Sequence, residues 1–173
     1  RRTSFAHMRC SMARSLELLG EWWTLLIIRE AFYGSRRFGE FEAALGIAPN
    51  VLAQRLGRLV EGGVLEVSQM SEGGRALAYR LSPKGRDLLP VIVALTQWGD
   101  AHAPAPKGPP VRIVERRNGQ PIAAMKPRSS TTGRVLEARE VALVAGPGAN
   151  QEDLERLARM AMGLAARAEN TAK

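Results

Sequence analysis

Three side chains in one short stretch, Asn50, Gln54 and Arg55, have the types and spacing to read the edges of base pairs. On a helix Asn50 and Gln54 fall one turn apart on the same side. Each both donates and accepts, the capacity needed to meet adenine N6 and N7. The planar fork of Arg55 fits guanine or a phosphate, and Arg58 fits a phosphate. Arg36 and Arg37 precede a shorter helix and suit a clamp on a backbone phosphate. Arg75 lies in a Gly-rich turn, where a wing tip would meet a phosphate or the minor groove. Taken singly, each is also what a solvated polar face looks like. Basic residues at helix entry, groove helix and wing tip together point to duplex DNA.

Such side chains need a scaffold, and the chain spells one out. Met12 to Leu19 reads as a short helix with Leu16 and Leu19 on one side. Trp22 to Phe32 is a nearly continuous apolar run whose length and later Arg29-Glu30 predict a buried helix rather than a strand. Gly34 ends it. Ser35 is the expected N-cap of the next helix, which carries Phe38, Phe41 and Leu45 at helical spacing and closes on Gly46. Ala48-Pro49 opens a third helix, with Pro where its missing N–H costs nothing. Val51, Leu52, Leu56, Leu59 and Val60 form its apolar stripe, and Gly62-Gly63 stop it. Val64–Ser68 and Ala76–Leu81 read as strands around a turn, the second with Leu77, Tyr79 and Leu81 on one face. Ser82-Pro83 is expected to start one long helix to about His102, with Leu88, Ile92, Leu95 and Trp98 on its apolar face. The order is that of a winged helix-turn-helix, which sets one helix in the major groove.

The fold class expected is α+β, mainly α: a winged helix-turn-helix, a flanking dimerisation helix, and a small C-terminal β-ribbon plus helix extension. The expected domains are 1–103 for DNA binding and dimerisation, a Pro-rich linker at 104–110, and an extension at 111–173. The extension carries β-like runs at Val111–Arg116, Pro121–Met125 and Val135–Val144, then a helix at about 150–169 whose start, Asn150 with Asp153, resembles a capping box.

Composition narrows the partners. The net charge is +8 over 173 residues, and 21 of the 25 basic residues are Arg, a balance that favours a polyanion. Genomic base composition and solubility are the competing account of that charge. No apolar stretch approaches the ~18 residues of a membrane span, and Arg1–Met8 lacks an apolar signal core, so a cytoplasmic protein without membrane association is expected. One cysteine, Cys10, and two distant histidines exclude an internal disulfide and a Cys-based metal site. No cofactor is expected, and no nucleophile-base pair or phosphate loop suggests an enzyme.

The residues from Cys10 to His102 resemble the HxlR-type (DUF24) winged-helix transcriptional regulators. The resemblance is carried by the cysteine, the Leu-rich helix, Gly20-x-x-Trp23-Thr24-Leu25-Leu26-Ile27, Arg36-Arg37-Phe38, Asn50-Val51-Leu52-x-x-Arg55-Leu56, the Gly-rich stop and Tyr79-x-Leu81-Ser82-Pro83-Lys84-Gly85. It implies a homodimer on a short, roughly palindromic operator, acting as a repressor by occlusion. It also implies that the N-terminal segment and the helix after the wing build the dimer, a role carried onto Leu16, Leu88, Ile92, Leu95 and Trp98. Intrachain core is the alternative for those five. Two departures bear on operator contacts. Ala48 stands where many relatives have a Ser or Thr N-cap, a difference of ~1 kcal/mol. Ala53 and Gly57 are bare where some relatives carry polar groups. Some longer relatives end in a Cys-bearing ribbon near Gly-Pro-Gly. Here Gly146-Pro147-Gly148 stands without the cysteines, which suggests a ribbon held by β pairing without metal.

Cys10 matches the family cysteine that some members use to sense oxidants or electrophiles, and Arg9, Arg14 and His7 near it in sequence favour the thiolate. Without a second cysteine, its oxidised products are an intersubunit disulfide, a mixed disulfide or a sulfenic acid. The plainer expectation is a small apolar residue at the dimer seam. A small-molecule effector in the dimer cleft is compatible with regulation, with Trp22, Trp23 and Phe32 as candidate lining, although core packing is expected for these aromatics. The rival function is a winged-helix protein-interaction module without specific DNA binding, which need not keep Arg55 and Arg58.

Overall fold

The computed structural model describes residues 4–5, 7–69 and 77–171, with the last helix described by its backbone alone beyond residue 162. Its elements are α1 (Ser11–Leu19), α2 (Trp22–Tyr33), α3 (Phe38–Leu45), α4 (Pro49–Glu61), β1 (Leu65–Gln69), β2 (Leu77–Leu81), α5 (Pro83–Arg86), α6 (Leu89–His102) and α7 (Gln151–Thr171). This is a mainly helical chain with a small antiparallel wing, β1 against β2, in the register Leu65↔Leu81 to Gln69↔Leu77. Arg75 and Ala76 lie outside the described residues. The chain forms two compact units, Arg1–Met125 and Lys126–Lys173.

The core of the first unit follows the apolar stripes. Ile27, Ile28 and Ala31 of α2, Phe41 of α3, and Leu52, Leu56 and Leu59 of α4 are buried together with Ile47, Val64, Leu65 and Ile92. Removing a Leu side chain from water stabilises by roughly 1.5–3 kcal/mol, so the three leucines hold α4 down by one face and leave the opposite face outward. The turn from α3 to α4 needs Gly46, whose φ is 60°, a region costly for residues with a Cβ. Phe41 meets Tyr79 of the wing edge to face, ring centres 6.3 Å apart.

Three local expectations are corrected. Ser35 does not cap α3; the N-cap is Arg37, and the cap is made by Glu40, whose carboxylate accepts from the N–H groups of Arg36 (2.7 Å) and Arg37 (3.0 Å). The helix expected from Ser82 to His102 is two helices, because Pro90 has no N–H to continue the ladder and its ring opposes the preceding turn. Trp22 is not core: it is 90% exposed, whereas Trp23 and Phe32 pack against the core.

The Ser82-Pro83-Lys84-Gly85 motif has a physical role. The Ser82 N–H donates to Val64 O (3.1 Å), its hydroxyl donates to Gly63 O (2.6 Å), and the Gly85 N–H donates to that hydroxyl (2.9 Å). Lys84 Nζ donates to Gly62 O at 2.7 Å. A Cβ on residue 85 would collide with the Val64 carbonyl, so only glycine allows this approach. The four residues knot α5 to the end of α4.

Beyond α6, the stretch 121–125 returns to it: Gln97 donates to Ala123 O (3.1 Å) and accepts from the Met125 N–H (2.7 Å). The β-like runs between Val111 and Val144 form turns closed by isolated bridges, Val114↔Pro121 and Arg128↔Val135, rather than a continuous ladder. They are short, exposed and interrupted by prolines, and have no buried face to pay for an extended pairing. In the second unit α7 opens with the expected capping box. Asp153 accepts from the Asn150 N–H (3.0 Å), and Asn150 accepts from the Asp153 N–H (2.9 Å). No helix among the described residues is long and apolar enough to cross a membrane.

Candidate nucleic-acid interface

With Leu52, Leu56 and Leu59 turned into the core, the outward face of α4 carries Asn50, Ala53, Gln54 and Gly57, all exposed. Asn50 and Gln54 stand one turn apart on it, two amides on an otherwise bare surface. The N-cap Ala48 has no side chain to bond the first turn, and Pro49 occupies its start.

On one flank of this face, arginines are already bonded. The Arg55 side chain is only 13% exposed; its Nη2 lies 3.0 Å from Glu21 Oε2 and its Nη1 donates to Gln54 Oε1 at 3.2 Å. Arg58 Nη1 approaches the other oxygen of Glu21 at 4.0 Å, an ionic contact beyond hydrogen-bond reach. Arg55 Nε and Arg58 Nη1 are buried without a hydrogen-bond partner among the described residues. Glu21 is the N-cap of α2, so one carboxylate draws both guanidinium groups toward the seam between α2 and α4. Trp22, next to it, presents its indole to solvent.

A second cationic region is the junction of α3 with the wing. The Arg36 carbonyl accepts from the Tyr79 N–H at 2.7 Å, and Arg37 bridges to Ala78, so the segment before α3 lies along the free edge of β2. The guanidinium of Arg36 turns inward, where Nη1 donates to Ala31 O (2.7 Å) and Ser35 O (2.8 Å) and caps α2. Arg37 turns outward with 63% of its side chain exposed; its Nε is 4.0 Å from Glu40 Oε1. The two N–H groups of Arg36 and Arg37 favour the charged form of Glu40 and hold its carboxyl below the usual carboxylate value, with the two guanidinium charges adding to the effect. A depression of about 380 Å³ beside this junction is lined by Arg37, Glu40, Ser68, Gln69 and Arg80. Arg80 was not among the expected contacts, although the period of two in β2 signals it. With Tyr79 and Leu81 packed on the core, Arg80 must face out.

The five candidate dimer residues divide. Ile92 is 5% exposed and Leu88 packs against the core, whereas Leu16, Leu95 and Trp98 are exposed, Trp98 by 60%. Met12 and Val91 extend the exposed apolar surface of α1 and α6. Cys10 caps α1, is exposed, and its carbonyl accepts from the Arg14 N–H at 3.0 Å.

The geometry has counterparts in known proteins. Residues 18–107 match the family model described as HxlR-like helix-turn-helix. An uncharacterized HTH-type transcriptional regulator of Mycobacterium tuberculosis is 44% identical over 140 residues, covering 80% of this chain and 87% of that protein. The crystal structure of PA1607, a protein assigned as a transcription factor, superposes with a TM-score of 0.76 at 42% identity, covering 83% of this chain and 100% of that one. PA1374 from Pseudomonas aeruginosa, assigned likewise, gives 0.59 at 41% identity, with 85% of this chain and 99% of that chain covered.

Proposed function

We propose that this chain, which belongs to the HxlR-like helix-turn-helix family of DNA-binding transcriptional regulators and is not an enzyme, acts as a homodimeric repressor in the cytoplasm. Two copies pair through α1 and α6 and present two α4 helices to successive major grooves, ~34 Å apart. Asn50 and Gln54 meet base edges. Arg37, Arg58 and Arg80 meet phosphates, and Arg36 and Arg55 serve from within by holding the frame. The bound dimer occludes polymerase.

The observation that carries the reading is the outward amide face of α4, with the Arg55 and Arg58 guanidinium groups beside it. The exposed Leu16, Leu95 and Trp98 support pairing of copies, since apolar area of this kind is normally covered. Residues 1–103 then constitute the DNA-binding and dimerisation domain, and residues 111–173 an appendage to it.

The test is fluorescence anisotropy with a duplex from upstream of the protein's own gene beside a scrambled duplex, at two salt concentrations. Tighter binding to the upstream duplex that persists at the higher salt is expected. Equal binding that collapses with salt would reduce the interaction to phosphate attraction, and no binding to any upstream duplex would favour a protein-interaction module. Cys10 is proposed as a redox trigger on the same assay. An oxidant should change operator affinity in the wild type and leave Cys10→Ser unchanged; a response surviving in the variant would discard the trigger.

A further inference from the structure

Deepening the effector side of the regulator reading, we propose that the cleft between α1 and the α5–α6 corner is a binding site for a small organic carboxylate with an apolar body. The cleft, open to solvent on one side, measures about 430 Å³, within the ~300–1,000 Å³ range of small-molecule sites. Its polar lining is Arg14 and Ser11 with Ser15 from α1, facing Lys84 from α5; no Asp or Glu lines it. The Arg14 side chain makes no hydrogen bond or ion pair among the described residues, and Lys84 Nζ donates to a neutral carbonyl, Gly62 O. Two cations and two hydroxyls without a carboxylate constitute a receptor for an anion.

The rest of the lining is aliphatic: Leu18 and Leu19 of α1, Val64 from the core and Leu88. A bare phosphate or sulfate would leave this surface in water, and a neutral hydrocarbon would leave the cations without a counter-charge. A carboxylate attached to a ring or short chain satisfies both, with its head between Arg14 and Lys84 and its body along the leucines.

The cleft also touches the end of the groove helix. Lys84 holds the carbonyl of Gly62, the C-cap of α4. Leu18 packs on Gly62 so closely that a Cβ there would collide with it. A carboxylate that draws the Lys84 ammonium to itself changes what binds that carbonyl, so occupancy of the cleft acts on the C-terminal end of the groove helix.

The experiment uses the full chain with 3-phenylpropanoate as probe and its neutral amide, 3-phenylpropanamide, as control, read by calorimetry and by methyl NMR. Saturable binding of the acid is expected, with shifts concentrated at Leu18, Val64 and Leu88. The amide should bind at least about tenfold more weakly, the loss of one charge-assisted contact. Arg14→Gln and Lys84→Gln should each weaken the acid about tenfold; both variants keep a neutral amide donor, and circular dichroism checks that each remains folded. Equal binding of acid and amide, acid binding unchanged in both variants, or shifts that follow protein concentration instead of probe would overturn the site, the last assigning the cleft to a second copy. The anisotropy assay on the same sample separates the two readings. Duplex binding without probe binding discards this site alone, whereas probe binding without duplex binding keeps the site and discards the DNA reading.

Discussion

Two sets of arginines, one on α4 beside its outward face and one at the junction of α3 with the wing, differ in what they are already bonded to. Arg55 and Arg58 share the carboxylate of Glu21 at the α2–α4 seam. Arg37 and Arg80 stand at the junction of α3 and the wing, where the Glu40 carboxylate accepts mainly from two backbone N–H groups. Both sets look alike in sequence, and both raise the pI. The comparison teaches that an arginine beside a groove helix contributes to binding only what its internal partners leave over. A guanidinium hydrogen-bonded to a carboxylate, as Arg55 is, is chiefly a brace, and one that is outward or only loosely paired, as Arg37 and Arg58 are, is a phosphate contact.

The largest expected effect separates brace from contact. Arg55→Ala should lower the unfolding free energy by about 2 kcal/mol, because it removes the charge-assisted hydrogen bond to Glu21 at a partly buried seam; this is below the 3–5 kcal/mol of a fully buried pair, in view of the solvent and of Arg58, which both reach Glu21. Arg37→Ala should change stability by no more than ~0.5 kcal/mol, as surface substitutions do. Urea unfolding of both variants measures this, and equal losses would erase the distinction.

Next comes the outward face of α4. Gln54→Ala should cost ~1–2 kcal/mol of discrimination between the operator and a variant at the base it reads, and little affinity for scrambled DNA. Competition anisotropy with single-base operator variants would show it; a uniform loss on every duplex would move Gln54 among the phosphate contacts.

Salt dependence sharpens the contrast further. Arg37→Ala and Arg80→Ala should each lower the slope of log K against log salt by about 1 and weaken specific and scrambled duplexes alike. Glu21→Gln should act in the other direction, steepening the slope and raising affinity for scrambled DNA as Arg58 is released. An unchanged slope in Glu21→Gln would mean that the carboxylate does not withhold the cations.

The smallest effect is one of pH. The carboxyl of Glu40 titrates below its unfolded value, near 4.5, when the protein is folded. A depressed carboxylate contributes its stability fully above the unfolded pKa, and that contribution is lost as pH falls through the folded one. The cap on α3 should therefore be constant from neutrality down to about pH 5 and loosen only in acid. The Glu40 carboxyl and the Arg36 and Arg37 amides, followed by NMR, should then shift together. Titration of Glu40 above the ordinary carboxylate value would contradict the cap.

Much of this was legible from short-range pattern. The stripe at Leu52, Leu56 and Leu59 and the stops at Gly34, Gly46 and Gly62-Gly63 delimit α2 to α4, because those signals act within a turn or two of the chain. The Asn150–Asp153 box is local in the same way. What was not legible is made by residues far apart. Glu21 and Arg55 are 34 positions apart and meet only once α2 and α4 pack. The inward turn of Arg36 depends on where the carbonyls at the end of α2 come to lie. The exposure of Trp22 is not legible because an apolar run does not say which of its members faces out, and the first residue of α2 does. The break at Pro90 was visible as a residue but hidden by an apolar stripe that continues past it.

The amide of Gln97 has a consequence for reach. It fastens residues 123 and 125 onto α6, so the intervening stretch after His102 is a closed loop that adds nothing to the span of the chain. Undone, the same stretch of about twenty residues becomes a leash able to extend roughly 70 Å. Two hydrogen bonds on one side chain thus keep residues 123 and 125 beside α6 and close that loop.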